Sequence, residues 1–190
     1  MQPGGRGFES HPLHVTPSPT HPTALVALLT LLGGRAAAQT IPRSQHGSVS
    51  QRVGVTDITV SYNRPVARGR TLFGELVPWR RVWHPGADSA TTVTFSRDVL
   101  VEGQGLRAGS YTLWAIPDTA QWTIIFSSAV HVYHVPYPGE SRDVLRVTVK
   151  PEAGSHMEVL AYYFPVVGPD SAVLRLHWGS TIVPLHIRTR

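Results

Sequence analysis

The stretch LRLHWGSTIVPLHIR, residues 174–188, decides the fold of this chain. A two-residue turn at Gly179-Ser180, with glycine first as a type II′ turn requires, sets Trp178 opposite Thr181 and Leu176 opposite Val183. One face then carries Leu174, Leu176, Trp178, Val183, Leu185 and Ile187, and the other carries Arg175, His177, His186 and Arg188. Period-two sorting of this quality belongs to a half-buried β-ribbon, because successive strand side chains point to opposite sides. The stretch is therefore expected to be a β-hairpin. Pro184 cannot donate to a ladder, so the last strand is expected at an edge or paired on only one side there.

The same alternation runs back to Ser48. SVSQRV and DITVSYN read as strands joined through Gly54, with Ile58, Val60 and Tyr62 on one face and Thr59 and Ser61 on the other. ATTVTF and VLVEG lead into a turn expected at Gln104-Gly105. AGSYTLWAIP and WTIIFSS are apolar on both faces, as suits central strands. Val144 to Lys150 and Glu158 to Phe164 alternate again. About ten strands, with no amphipathic helix beyond a turn or two around Leu72 to Leu76, predict an all-β fold. It is a single antiparallel β-sandwich, jelly-roll or immunoglobulin-like, over residues 48–188.

Before that domain the character changes. Residues 1–22 are rich in Pro, Gly and His without periodicity, and are read as a disordered or untranslated extension. Residues 23–38 combine the apolar run TALVALLTLL with Ala36-Ala37-Ala38, the pattern of a secretory signal cleaved before Gln39. Ten apolar residues are too few for a membrane span, which needs about 20. Residues 39–47 are then expected to be a flexible mature N-terminus, and the protein is expected in the periplasm or outside the cell.

Cysteine is absent, which excludes disulfides and thiolate metal sites. The net charge of +5 is carried by 16 Arg and one Lys against 12 acids, without a polybasic run. A nucleic-acid partner, which needs positive charge gathered on one face, is not expected.

The largest departure from plain strand-and-turn patterning is YNRPVARGRTLFGELVPWRRVWHPGADSATTVTF, residues 62–95. It holds five arginines, two tryptophans, one histidine and two acids between two strands. With these residues in view, the chain from about Ser48 to Ile187 resembles DUF2911, a bacterial family of secreted domains of unknown function. The resemblance rests on Tyr62-Asn63-Arg64-Pro65, Gly69-Arg70 and Leu72-Phe73-Gly74-Glu75-Leu76-Val77-Pro78. It continues through Val82-Trp83 followed by Gly86-Ala87, Ala108-Gly109-Ser110-Tyr111 and the Trp122 strand. It implies an exported protein and supplies no activity. Where members read Trp-Arg-Thr-Gly-Ala-Asn, this chain reads Trp83-His84-Pro85-Gly86-Ala87-Asp88, exchanging arginine for histidine and an amide for an acid.

No G-x-S-x-G elbow, H-E-x-x-H, Walker or dinucleotide glycine motif is present, so no cofactor is expected. His131 and His134, three apart, would point to opposite faces of a strand, and no metal site is assigned. Arg64, Arg68 and Arg70 flank Pro65 and Gly69, which suits a loop approaching a ligand. Arg64, Arg70, Trp83, His84, Asp88 and Trp114 are the candidate ligand contacts: guanidinium forks for a carboxylate or phosphate, and indoles for a sugar face. Arg64 is assigned as the structural pin and Arg70 as the ligand contact. The structural alternative pairs Arg64 or Arg70 with Glu75, Asp57 or Asp88 and uses Trp83 and Phe73 to plug one end of the sandwich. Function is accordingly read as binding of a small polar or anionic ligand, a carbohydrate or an envelope partner beside the 64–88 loop. The alternatives are a hydrolase of an envelope or dietary substrate using Glu75, His84 and Asp88 as acid and base, and a purely structural envelope domain.

Overall fold

The computed structural model describes residues 43–189, so the expectations for 1–22, for 23–38 and for the first residues of 39–47 lie outside the described residues. Ten strands follow one another: β1 (Gln45–Val53), β2 (Thr56–Arg64), β3 (Thr92–Phe95), β4 (Val99–Val101) and β5 (Gln104–Leu106), then β6 (Gly109–Ile116), β7 (Trp122–Ser127), β8 (Asp143–Val149), β9 (Glu152–Val167) and β10 (Ser171–Thr189). They form a six-stranded sheet in the order β1-β2-β3-β6-β7-β8 and a four-stranded sheet in the order β5-β4-β10-β9. Every pairing is antiparallel. The all-β sandwich expected from the periodicity is the fold observed.

The inner faces enclose one core. Ile58, Val60, Val93, Phe95, Leu113 and Phe126 from the larger sheet meet Leu160, Tyr162, Leu174, Leu176, Trp178 and Leu185 from the smaller. β6 and β7 are interior strands, apolar on both faces as expected, because a second cluster of Ala90, Trp114 and Ile125 lies on their other side under Val132 and Tyr137.

The expected hairpin at Gly179-Ser180 does not form. β10 runs through it as one strand, with β9 alongside, and the register steps from His177↔Ala161 to Gly179↔Met157 to Thr181↔Ala153. Gly179 sits at φ +58°. An irregularity there turns the inward face over by one residue, as a two-residue turn does. Both geometries therefore bury Leu174, Leu176, Trp178, Val183, Leu185 and Ile187, and all six are buried. A side chain at 179 is doubly disfavoured: by the left-handed backbone, and by a Cβ that would lie 2.8 Å from Leu72 Cδ1.

His177, expected on a solvated outer face, is buried and satisfied by the Tyr163 hydroxyl at 3.2 Å and the Ser155 carbonyl at 3.0 Å. The long β9 covers that side as well. Pro184 falls between the pairings with β9, which stop at Ile182, and those with β4, which begin at Ile187. The turn expected at Gln104-Gly105 lies two residues earlier. Glu102 and Gly103 both have positive φ, 48° and 78°, as a type I′ turn demands. At 72–76 the chain makes turns closed by Val77 N–H to the Leu72 carbonyl at 2.8 Å, and no helix. Helical structure among the described residues is the 3₁₀ turn Glu140–Arg142, and no helix there is long and apolar enough to cross a membrane. β1 begins at Gln45, three residues before the boundary expected at Ser48.

Candidate functional site

Residues 65–91 connect β2 to β3 and are held by backbone bonds at both ends. The first leg lies against β9, with Ala67 N–H to the Glu158 carbonyl at 2.8 Å and Leu160 N–H to the Pro65 carbonyl at 2.9 Å. The last leg takes the place beside β6 that the short β3 leaves open. Trp83 N–H donates to the Ala115 carbonyl at 2.7 Å and Ala115 N–H returns to the Trp83 carbonyl at 2.8 Å. The segment 84–88 is then fastened from four directions. The Tyr162 hydroxyl and Thr91 Oγ1 donate to the Pro85 carbonyl at 3.0 and 2.9 Å, Asn63 Nδ2 donates to the Ala87 carbonyl at 3.1 Å, and His134 N–H donates to the Asp88 carbonyl at 2.9 Å. The carbonyls of this segment are thus paired by donors from distant parts of the chain.

Between this loop and the 134–137 segment opens a cavity of about 480 Å³, within the size range of small-molecule sites. Arg70, Trp83, His84 and Trp114 all line it, together with His134, Tyr137 and Trp178. Trp83 stacks on Trp178 with ring centres 6.1 Å apart and planes within 8°. Phe73 meets Trp122 edge-on at 5.0 Å, so the loop aromatics also close this end of the sandwich. Trp114 is buried beneath Tyr137, whose hydroxyl donates to Asp143 while Arg146 holds the same carboxylate at 2.7 Å. Burial against that carboxylate pushes the Tyr137 hydroxyl up to about 12, so it stays protonated.

Of the acid and base candidates only His84 lines this cavity; Glu75 is exposed, and Asp88 is half-buried and not among the lining residues. Asp88 has φ +57°, a conformation that Asn and Asp tolerate best. Its carbonyl accepts from both His134 N–H and His134 Nδ1, the latter at 2.7 Å. An amide-for-acid exchange at this position preserves that backbone role. The pins envisaged from Glu75, Asp57 or Asp88 are replaced by carbonyls: Arg64 Nε donates to Leu160 at 3.2 Å, and Asp57 pairs with Arg52 instead. Arg70 is itself anchored, with Nε to the Ala67 carbonyl at 2.9 Å and Nη2 to that of Val66 at 2.7 Å.

His84 is buried, and burial first, then the nearness of His134, lowers its pKa to about 3. The ring is neutral at pH 7. Its Nε2 accepts the Thr91 N–H, which leaves the hydrogen on Nδ1, and Nδ1 is buried without a protein partner. Gly86 is needed here because a Cβ would collide with Thr91 Oγ1 and the His84 ring. Among the described residues no group of three or more His, Asp or Glu is placed to hold a metal ion.

Trp178, Tyr137 and His134 were not singled out as contacts from the sequence. Trp178 was assigned to the core, which it also serves. Residues 131–134 form a loop, with His131 at φ +59°, and not the strand on which the two histidines would point to opposite faces. The aromatic and histidine density of HVYHVPY was the available signal.

The sequence model of a family described as "Protein of unknown function (DUF2911)" matches residues 44–187. No curated protein and no solved structure matches the chain.

Proposed function

This chain belongs to the DUF2911 family, and on that premise we propose that it is an exported binding protein whose small polar ligand occupies the cavity between the 65–91 loop and the 134–137 segment. The observation that carries this reading is a cavity lined by Arg70, three tryptophans and His84, a histidine whose Nδ1–H is buried without a protein acceptor. An unmet buried donor costs about 1–3 kcal/mol, a cost that an acceptor oxygen reaching it from the cavity side would recover. Arg70 spends Nε and Nη2 on backbone carbonyls, so Nη1 is the nitrogen offered to that ligand. Trp83, Trp114 and Trp178 supply aromatic surface. A carboxylate or a polyhydroxylated ring with an apolar face meets all of these.

His84 is unsuited to general-base work at neutral pH, because its Nε2 lone pair is already engaged and its affinity for a proton is low. Binding is therefore favoured over acid-base hydrolysis at this loop. The test is a thermal-shift screen of neutral sugars, organic acids and organic phosphates, followed by titration of any hit against tryptophan fluorescence. Arg70→Ala and His84→Phe, each verified as folded, are expected to weaken the hit at least about tenfold. Retained affinity in both would remove the cavity as the site.

Export is supported by the apolar run before Ala38. Intact mass of protein from the envelope fraction is expected to place the first residue at Gln39; soluble cytoplasmic protein retaining Leu25 to Leu32 would refute it.

A further inference from the structure

On the outer face of the six-stranded sheet, next to the cavity just described but not lining it, three side chains from β1 and β2 form a chain of hydrogen bonds. His46 lies opposite Asn63 across the β1–β2 ladder, and Ser61 is two residues along on the same face. Ser61 Oγ is 3.3 Å from His46 Nε2, and His46 Nδ1 is 3.2 Å from Asn63 Oδ1. The direction of every proton in this chain follows from its far end. The Ala87 carbonyl can only accept, and Asn63 Nδ2 donates to it at 3.1 Å. The amide oxygen is thereby turned toward His46, so Nδ1 carries the ring hydrogen and donates it. Nε2 is left with its lone pair facing the Ser61 hydroxyl. That is a nucleophile, a base with its lone pair on the nucleophile, and an orienting group that sets the tautomer.

All three residues line an open cavity of about 530 Å³, along with Ala90, Val132 and Tyr133. A cross-strand polar cluster needs no cavity, and a hydroxyl aimed at a basic nitrogen inside one is where an acyl group would be placed. We propose that Ser61, His46 and Asn63 form a second site, an acyl-transfer centre that hydrolyses small carboxylic esters. The Ser61 oxygen attacks the acyl carbon while its proton passes to His46 Nε2. The imidazolium returns that proton to the ester's departing oxygen, which leaves as the alcohol. Water then attacks the acyl-Ser61 carbon, gives one proton to Nε2, and the acid leaves as Ser61 regains its hydrogen. Ser61 and His46 are the catalytic residues and Asn63 is the positioning residue. Ser89, His131 and Tyr133 line the same cavity and are among the polar groups available to the developing oxyanion.

The full chain incubated with p-nitrophenyl acetate, quenched in acid and mapped by mass spectrometry is expected to carry one acetyl group, on Ser61. Ser61→Ala is expected to lose the adduct and fall to background release of nitrophenol. His46→Ala should slow release at least about 100-fold. Asn63→Ala should lower kcat at least about tenfold and change KM by much less, since its amide acts first on the His46 tautomer. Ser50→Ala, on the same face but bonded to Thr59, is the control and should behave as the unaltered chain. Melts check that each variant is folded. An acetyl group found elsewhere with Ser61 unmodified, or full release from folded Ser61→Ala, overturns the assignment and leaves the ligand cavity unaffected.

Discussion

Leu176→Ala is expected to lower the free energy of unfolding by about 2 to 5 kcal/mol, while His186→Ala costs less than about 1 kcal/mol. Leu176 is buried on the inner face of β10, whereas His186 is exposed and reaches only Glu102, at 3.0 Å. Urea melts of the two variants measure the difference, and equal losses would place the apolar residues of this strand on the wrong face. A double-mutant cycle with Val183→Ala separates the observed strand from a hairpin. Seven residues apart on one strand, the two side chains stand about 23 Å from each other, so their effects should add within about 0.5 kcal/mol. In a hairpin they would face one another and couple.

The second large effect is acid sensitivity centred on His84. Its ring titrates near 6.5 when exposed and at about 3 in the folded chain, chiefly because burial penalises the charged form. Between those values the unfolded state binds the proton first, so stability rises with pH. The contribution is whole above about pH 6.5 and is lost as pH falls toward 3. From pH 7 to pH 4 the loss from this group is about 3 kcal/mol. His84→Gln keeps an acceptor for the Thr91 N–H but cannot titrate, so its stability should fall less over the same interval by about that amount. Parallel pH profiles for the two proteins would mean that the ring is already protonated, or open to water, in the folded state.

The hydrophobic alternation was legible throughout. It puts Ile58, Val60 and Tyr62 on one face, which is the core face, and β6 and β7 among the central strands. The loop was legible as a concentration of unusual residues, and Arg70, Trp83, His84 and Trp114 do line a single cavity. The separation of Arg64 as pin and Arg70 as free contact was less clear-cut, since both guanidinium groups bond to backbone carbonyls. Nothing in the residue types distinguishes a carbonyl partner from a carboxylate, because both are oxygens presented at the end of a fold.

By itself the sequence determined which side of each ribbon faces the core, because side-chain direction on a strand is a local property with a period of two residues. It left open what the reversal of face at Gly179 meant. A turn and an irregularity within one strand both shift the alternation by one residue, and only the presence of β9 alongside both halves of β10 decided between them. The sites were decided in the same way by distant partners. His84 lines a cavity completed from the far side by His134, Val135 and Tyr137, and His46 owes its tautomer to an amide on the neighbouring strand fixed by the Ala87 carbonyl. Hydrogen bonds between residues tens of positions apart are set by where two sheets and one long loop pack, and no local pattern encodes that convergence.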